Sequence, residues 1–193
     1  MDRLNDILEV FERHDALLEG HFLLSSGLHS DRFLQCALVL QYPAISEELI
    51  HLLEMQTYHL EFCTVVSPAI GGIRFGYEYA RQLRKRSLFT ERHEGEMTMR
   101  RGFTLRKGEP VVIAEDVVTT GKSTKECIKA VEDAGGKVVG VVSLVDRSNG
   151  KAEFGVPYYP LLRIDVHSYE PDECPLCKKG LELVKPGSRT VKV

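Results

Sequence analysis

Apolar positions recur along this 193-residue chain with two alternating kinds of spacing. Intervals of three and four residues predict amphipathic helices over about 4–18 and from Pro43 to about Tyr58. Between them, two short apolar runs joined by the polar segment Ser25–Ser30 predict a strand, a turn and a second strand. The chain therefore opens with a helix and a hairpin, ahead of a longer helix.

Later apolar runs are short and almost unbroken, which is typical of strands buried on both faces of a parallel sheet. Helical segments follow two of them and end near Leu83 and Ala134. This alternation predicts an α/β fold with an open, mostly parallel sheet and helices on both faces. The predicted strands cover Cys63–Ser67, 111–114, 138–145 and 157–164.

Two segments between the predicted strands at 63–67 and 111–114 have a less regular spacing of apolar residues. Arg84–Thr90 predicts a short strand at the edge of the sheet. Glu91–Arg101 is polar and charged and has no sustained period, so a mobile loop is expected there.

Composition narrows the class of protein. A hydrophobic fraction of 43% suits one α/β domain of ordinary size, and 25 basic against 28 acidic residues give a net charge of −3. That balance argues against a nucleic-acid or membrane partner, and neither a membrane-length apolar window nor a signal-peptide pattern occurs. A cytoplasmic location is expected. Cys36, Cys63 and Cys127 are predicted to be reduced core thiols.

The segment Val111–Thr124 carries the clearest chemistry. Four small apolar residues precede the carboxylates Glu115 and Asp116, and a hydroxyl-rich loop around Gly121 then opens a helix. Backbone N–H groups at a helix start favour a bound phosphate. Adjacent carboxylates would repel that phosphate but can accept hydrogen bonds from the vicinal hydroxyls of a ribose.

Two other interpretations of this segment were weighed. A nucleoside-triphosphate P-loop needs glycine where this chain has Asp116, so that motif is rejected. In the second interpretation, Glu115 and Asp116 are a solvated strand end and Thr119 to Ser123 form an ordinary helix cap. That interpretation does not explain why the acid pair, the hydroxyl groups and the glycine occur together.

The strand, acid pair and Thr-Thr-Gly-Lys-Ser-Thr loop resemble the phosphoribosyl-pyrophosphate (PRPP) motif of type I phosphoribosyltransferases. Further matches along nearly the whole chain are similar to the orotate phosphoribosyltransferases of that family. The resemblance implies a catalytic role for Asp116 and a Mg²⁺ ion held through PRPP and water, without a direct protein ligand. The PRPP-binding residues that it implies are Glu115, Asp116, Val117, Val118, Thr119, Thr120, Gly121, Lys122 and Ser123.

Orotate binding is expected at two places. Arg147 follows a predicted strand, where a guanidinium can hold a carboxylate in a bidentate pair, although an ordinary surface pairing with Asp146 is the alternative. The resemblance assigns Arg147 to the orotate carboxylate together with Thr119. It also implies a small hood in which Ser26 and Gly27 contact the base.

The pyrophosphate is expected at Ala69, Ile70, Gly71 and Gly72, since a glycine pair between strand and helix lets backbone approach an anion. Relatives carry an aromatic residue and a lysine where this chain has Ile70 and Gly71. The resemblance further implies a flexible catalytic loop with Arg92 and His93, closing from the neighbouring subunit of a homodimer. That loop lacks the usual lysine here.

The implied reaction is Mg²⁺-dependent transfer of the phosphoribosyl group from PRPP to orotate. The alternatives are a purine phosphoribosyltransferase and a PRPP-binding regulator of the same fold. A single domain over 1–193 is predicted, with a hood formed by about 1–40 and a carboxyl-terminal segment of about 157–193.

One Cys-x-x-Cys pair, Cys174 and Cys177, stands outside this scheme. Structural zinc needs four ligands and no second cysteine pair exists, so a local turn with two thiols is favoured over a metal shared across a dimer. Lys185–Val193 is expected to be a loose end.

Overall fold

The computed structural model describes residues 3–24 and 26–185, and it divides into two compact units. The larger unit is Val39–Ile164, and the smaller combines Met1–Leu38 with Asp165–Val193. Most of the predicted loose end, residues 186–193, lies outside the described residues. The helices are α1 Arg3–Arg13, α2 Ala37–Leu40, α3 Pro43–Thr57, α4 Gly71–Gln82, α5 Lys122–Asp133 and α6 Pro175–Lys178, with a 3-10 turn at Pro171–Glu173. The strands are β1 Leu17–Leu23, β2 His29–Leu34, β3 Thr64–Pro68, β4 Arg86–His93, β5 Glu96–Met99, β6 Pro110–Val118, β7 Lys137–Asp146, β8 Tyr158–Arg163 and β9 Ser168–Tyr169.

The larger unit is built on a six-stranded sheet in the order β5-β4-β3-β6-β7-β8. Pairing is parallel from β4 through β8, and only β5 runs antiparallel to its neighbour. After β3 the chain adds β4 and β5 on one side of the sheet, and after β6 it adds β7 and β8 on the other side. The carboxyl ends of these two central strands therefore mark the switch point at which open α/β sheets bind ligands.

Helices cover both faces of this sheet. Val111 and Ile113 of β6 pack with Cys127 and Val131 of α5 in one buried cluster. Ala114, the next residue along β6, lies against Gly76 of α4. Because successive strand residues point to opposite faces, α4 and α5 lie on opposite sides. The predicted fold class is confirmed.

The smaller unit contains a three-stranded sheet in the order β1-β2-β9, within the described residues. The predicted strand, turn and strand are present as the antiparallel pair β1 and β2. The predicted first helix is shorter than expected, because Leu17 and Leu18 belong to β1. Val184 also pairs with β1, through N–H groups of Leu23 and Val184 that each donate at 2.8 Å.

Four sequence-based expectations for the larger unit were wrong. The strand over 84–90 is not at the edge, because β5 pairs outside it. The expected mobile loop at 91–101 instead forms most of the β4–β5 hairpin, in which Arg92 pairs with Met97 and His93 with Glu96. The central strand does not stop at Ala114 but extends to Val118, and Cys63 is exposed.

No described helix is long and apolar enough to cross a membrane.

Candidate active site

The loops that follow β3 and β6 meet at the switch point of the sheet. The first contains Ala69 and Ile70 and leads into α4, and the second runs from Thr119 to Gly121 and leads into α5. The predicted pyrophosphate loop and the predicted PRPP loop therefore lie side by side, as the parallel pairing of β3 with β6 requires. Ile70 is 86% exposed at the mouth of this crevice.

Two glycines let the first loop lie directly against the acid pair. A Cβ atom added to Gly71 would lie 2.6 Å from Oδ2 of Asp116. One added to Gly72 would lie 3.0 Å from the Ala114 carbonyl oxygen and 3.3 Å from Oε1 of Glu115. A side chain at either position would displace a carboxylate, so this glycine pair is needed for the close packing of the two loops.

The carboxyl groups of Glu115 and Asp116 are strongly perturbed. Burial, and to a smaller extent the neighbouring charge of Asp116, raise the pKa of Glu115 to about 9. Burial also raises the pKa of Asp116, while a hydrogen bond from Glu115 opposes that shift. These effects describe two adjacent carboxyl groups that share one proton at neutral pH. The Thr124 hydroxyl adds a long contact of 3.5 Å to Oε2 of Glu115.

The second loop ends at a helix start shaped by one glycine. Gly121 precedes α5 with a φ of 74°, in the left-handed region that favours glycine. A Cβ atom there would lie 3.0 Å from the ring of Phe154. Thr119, Thr120, Lys122 and Ser123 are exposed around it. The first turn of α5 therefore presents its N–H groups beside several hydroxyls, as an anion site requires.

Arg147 lies beside this loop. Val118 pairs with Asp146 in the β6–β7 ladder, and the Arg147 N–H donates to the Val118 carbonyl at 2.8 Å. Thr119 and Arg147 thus leave neighbouring strand ends together, which places two of the predicted orotate residues in one region. The buried carboxylate of Asp146 accepts from the Ser148 N–H at 2.8 Å and lies 3.6 Å from Arg163.

Arg92 and His93 lie at the end of β4, near the tip of the β4–β5 hairpin. The Arg92 guanidinium donates to the Gly95 carbonyl at 2.9 Å and also pairs with Glu126 on α5. His93 is about half exposed and approaches Glu94 at 4.0 Å. Arg92 is thus engaged within its own chain, on the α5 side of the sheet.

Ser26 and Gly27 lie in the turn between β1 and β2 of the smaller unit. Gly27 has a φ of 87°, and its N–H donates to the Leu24 carbonyl at 3.0 Å. The turn closes through the Leu24 N–H, which donates to the Leu28 carbonyl at 2.8 Å. Ser30 lies further along, where its hydroxyl donates to the His167 carbonyl at 2.9 Å.

Sequence reasoning missed Phe154 and Ser148 near this site. Phe154 packs on Gly121, and the Ser148 hydroxyl accepts from the Ala152 N–H at 3.1 Å, which shapes the loop after β7. The sequence held only a weak signal for them. Asp146-Arg147-Ser148-Asn149-Gly150 indicates a turn, but nothing local shows which loop it packs against.

An open helix start and an acid pair at one switch point are the arrangement expected of an enzyme that acts on a phosphorylated sugar. A family model described as the phosphoribosyl transferase domain matches residues 39–167. That range is more than half of the chain, and the chain belongs to the phosphoribosyltransferase family.

Relatives within that family are more specific. A protein of Carboxydothermus hydrogenoformans named orotate phosphoribosyltransferase is 52% identical over 186 residues, which cover 95% of this chain and 97% of the relative. A protein of Caldanaerobacter subterraneus subsp. tengcongensis with the same name is 51% identical over 183 residues, covering 95% and 96%. The predicted resemblance to the orotate branch of the family is confirmed.

Solved structures share the fold. The crystal structure of orotate phosphoribosyltransferase from Aeropyrum pernix matches with a TM-score of 0.72 and 25% identity, covering 82% of this chain and 93% of that one. An adenine phosphoribosyltransferase from Thermoanaerobacter pseudethanolicus matches with a TM-score of 0.60 and 19% identity, covering 69% and 88%. The second match shows the shared fold alone, because enzymes named for different nucleobases have this fold.

Proposed function

We propose that this chain transfers the 5-phosphoribosyl group of PRPP to orotate, which yields orotidine 5'-monophosphate and pyrophosphate in pyrimidine biosynthesis. One observation carries the proposal. A chain about half identical to orotate phosphoribosyltransferases over 95% of its length places a buried acid pair and an open helix start at the switch point of its sheet.

The helix start is the proposed site of the ribose 5-phosphate. Residues 119–123 would surround it with backbone N–H groups and hydroxyls, and the helix dipole favours a negative group there. Glu115 and Asp116 would accept hydrogen bonds from the ribose hydroxyls. The raised pKa of Glu115, about 9, supports this role, because a buried carboxyl group without a strong cationic partner is available to a ligand.

The pyrophosphate is proposed to lie over Ala69, Ile70, Gly71 and Gly72. Gly71 offers backbone but no cation, so the charge must be balanced from elsewhere. Arg92 and His93 are proposed for this, in a homodimer in which the catalytic segment reaches the neighbouring subunit. Arg92 must exchange its pairing with Glu126 for the pyrophosphate when it does so.

Mg²⁺ belongs to the proposal as a partner of PRPP. Burial, rather than a neighbouring arginine or lysine, is the largest influence on the pKa values of both acid-pair carboxyls. Such a pair fits a ligand that arrives with a hard, oxygen-binding cation. The ion is expected to be held by PRPP and water, without a direct protein ligand. When bound, it supplies neutralisation of the pyrophosphate charge.

The proposed chemistry is a displacement at the anomeric carbon of the ribose. The bond from this carbon to the pyrophosphate oxygen breaks, and pyrophosphate leaves with the electron pair. A ring nitrogen of orotate, which has lost its proton to water, forms the new bond from the opposite side. Positive charge on the ribose would be stabilised by Asp116 and Glu115, and exclusion of water would protect PRPP from hydrolysis.

Arg147 and Thr119 are proposed to bind orotate in the larger unit, and the family resemblance separately implies base contacts from Ser26 and Gly27 of the smaller unit. The guanidinium would hold the orotate carboxylate in a bidentate pair. A cytoplasmic location completes the proposal, because all five cysteines are free thiols, as is usual in reducing compartments.

The direct test follows orotate absorbance in a mixture of protein, Mg²⁺, PRPP and orotate. We expect loss of orotate with stoichiometric release of pyrophosphate. Adenine or hypoxanthine in place of orotate should release none. Turnover of a purine would favour the purine branch of the fold, and PRPP binding without turnover would favour a regulator.

Base recognition has its own test in Arg147→Ala. We expect KM for orotate to rise on the order of 10- to 100-fold, because a charged pair is lost, while KM for PRPP changes less than about threefold. Arg147→Lys is the matched control and should recover only part of the loss. Equal weakening of both substrates would remove Arg147 from the base site.

A further inference from the structure

Four side chains of the smaller unit bring their ligand atoms together. They come from both ends of the chain: His21 on β1, His29 on β2, and Cys174 and Cys177 around the start of α6. All four ligand atoms lie within 4.8 Å of one another. His21, His29 and Cys174 are buried, and Cys177 is exposed. We propose that these residues bind one structural Zn²⁺ ion.

The distances fit one tetrahedral ion. Zinc binds sulfur at about 2.3 Å and imidazole nitrogen at about 2.0–2.1 Å, so its ligand atoms lie about 3.3–3.8 Å apart. Nε2 of His21 lies 3.5 Å from Sγ of Cys174 and 3.7 Å from Sγ of Cys177. Nδ1 of His29 lies 3.3 Å from Sγ of Cys177 and 3.0 Å from Nε2 of His21. The nitrogen pair and the His29–Cys177 pair are shorter than the ideal edges by a few tenths of an ångström, and no pair of the four ligand atoms is more than 4.8 Å apart.

The protonation pattern of His21 also suits a metal ligand. Its Nδ1 lies 2.9 Å from the Leu181 carbonyl oxygen. A carbonyl only accepts, so Nδ1 must carry the hydrogen, and Nε2 then presents its lone pair to the cluster. A backbone carbonyl that fixes the tautomer of a histidine ligand in this way is a regular feature of zinc sites.

Local structure explains how the ligands converge. Leu23 pairs with His29 across the hairpin, and His21 lies two residues before Leu23, so the two histidines share one face of the sheet. Pro175 begins α6, whose single turn returns Cys177 beside Cys174. Backbone pairing of Val184 with β1 then holds this segment against the hairpin.

Charge and ligand type select the ion. Two thiolates and two neutral imidazoles match the preference of zinc, and two thiolates balance the charge of Zn²⁺ in a largely buried setting. The ion would link the β1–β2 hairpin to the segment around α6, since Cys174 is separated from His21 by 153 positions. A unit of this size gains much of its folding energy from such a link. The sequence-based preference for a local turn with two thiols did not include the two histidines that lie beside them.

Elemental analysis of the full-length untagged chain, purified without chelator under reducing conditions, tests the proposal. We expect one zinc per chain, and at least about a tenfold lower zinc content in Cys177→Ser and His21→Asn. Cys177 is exposed, so its replacement leaves the core of the unit filled. Cys63→Ser and His51→Asn are the matched controls, because both side chains are exposed and lie outside the cluster. These controls should keep their zinc.

Two further readouts do not depend on any variant folding. Co²⁺ exchanged into the wild-type chain should give the absorption of a tetrahedral thiolate site, and a strong chelator should lower the Tm by on the order of 5 °C or more, reversibly with added Zn²⁺. The proposal fails if the reduced wild-type chain binds less than about a tenth of an equivalent of added Zn²⁺. It also fails if Cys177→Ser keeps full zinc, or if Cys174 and Cys177 are found as a disulfide in the purified protein.

Discussion

The two ends of β6 hold buried carboxyl groups in opposite electrostatic states. At the amino end, Glu109 is 5% exposed, and at the carboxyl end, Glu115 is 7% exposed. Hydrogen bonding, above all from the Thr64 hydroxyl, lowers the pKa of Glu109 to about 2. Burial raises the pKa of Glu115 to about 9. Similar exposure therefore accompanies opposite shifts, because Glu109 lies near the surface among hydroxyl and cationic donors, whereas Glu115 lies deeper beside another carboxyl group.

Glu109 is satisfied by its own chain. Oε1 accepts from the Thr64 hydroxyl at 2.6 Å and from Arg86 at 3.1 Å. Oε2 accepts from the N–H and the guanidinium of Arg106 at 3.0 and 3.1 Å. Each oxygen thus has two donors, which accounts for a stable buried charge.

Glu115 and Asp116 mainly face each other and the glycines of the neighbouring loop. Burial is the largest cause of the raised pKa values of both carboxyl groups. On the proposed function, the comparison separates two uses of a buried acid: Glu109 stabilises the fold, and the acid pair binds the ligand.

The largest expected effect comes from removing the acid pair. Glu115→Gln combined with Asp116→Asn should lower kcat/KM for PRPP by on the order of 10²- to 10³-fold, because the acceptors for the ribose hydroxyls and the stabilising charge are lost. Steady-state assays with orotate in excess measure it. Glu109→Gln is the control at the other end of β6 and should stay within about threefold of wild type at a temperature where it is folded. A double variant whose kcat/KM stays within about tenfold of wild type would show that the acid pair does not carry the reaction.

The carboxyl end of β6 could be predicted from sequence because its signals are local. A buried strand, Glu115, Asp116 and the loop to Ser123 follow one another directly, and the parallel topology brings them to Ala69–Gly72. Arg147 could be placed for the same reason, since the alternation of strands and helices fixes which strand ends meet.

The amino end of β6 could not be predicted, because the partners of Glu109 are scattered in sequence. Thr64 begins β3, Arg86 begins β4, and Arg106 lies in a loop. The zinc-type cluster is hidden in the same way, since two of its ligands lie in the first hairpin and two near the other end of the chain. The β4–β5 hairpin was missed because Glu91–Arg101 is polar at most positions, so an edge hairpin and a loop have the same pattern.

For the free energy of unfolding, we expect Glu109 to matter more than the acid pair. Glu109→Gln leaves Arg86 and Arg106 facing a neutral amide, so we expect the free energy of unfolding to fall by on the order of 1–3 kcal/mol, or roughly 5 °C in Tm. Thermal unfolding at pH 7 measures it. Glu61→Gln, an exposed position just before β3, is the matched control and should shift Tm by less than about 1 °C. Unchanged stability in Glu109→Gln would mean that its four contacts contribute nothing net.

The smallest effect, in the pH dependence of stability, distinguishes the two ends by sign. Glu115 holds in the folded state a proton that the unfolded chain releases near the usual pKa of 4.5, and the folded group releases it only near 9. Its contribution to the free energy of unfolding is therefore greatest at low pH and declines as pH rises through that window. Glu115→Gln removes the decline, so the variant should gain on wild type by about 1 kcal/mol between pH 6 and pH 8.5, after allowance for relaxation of a coupled pair.

Glu109 should behave oppositely, because its folded pKa of about 2 lies below the usual pKa of 4.5. Its stabilisation is complete above the unfolded value and is lost as pH falls toward 2, so the deficit of Glu109→Gln should shrink only in acid. Denaturant unfolding of wild type and both variants between pH 3 and pH 9 measures the two differences. Parallel curves for Glu115→Gln and wild type from pH 6 to pH 8.5 would show that the proton shared with Asp116 does not exist in the free protein, and the contrast between the two ends of β6 would then be one of hydrogen bonding alone.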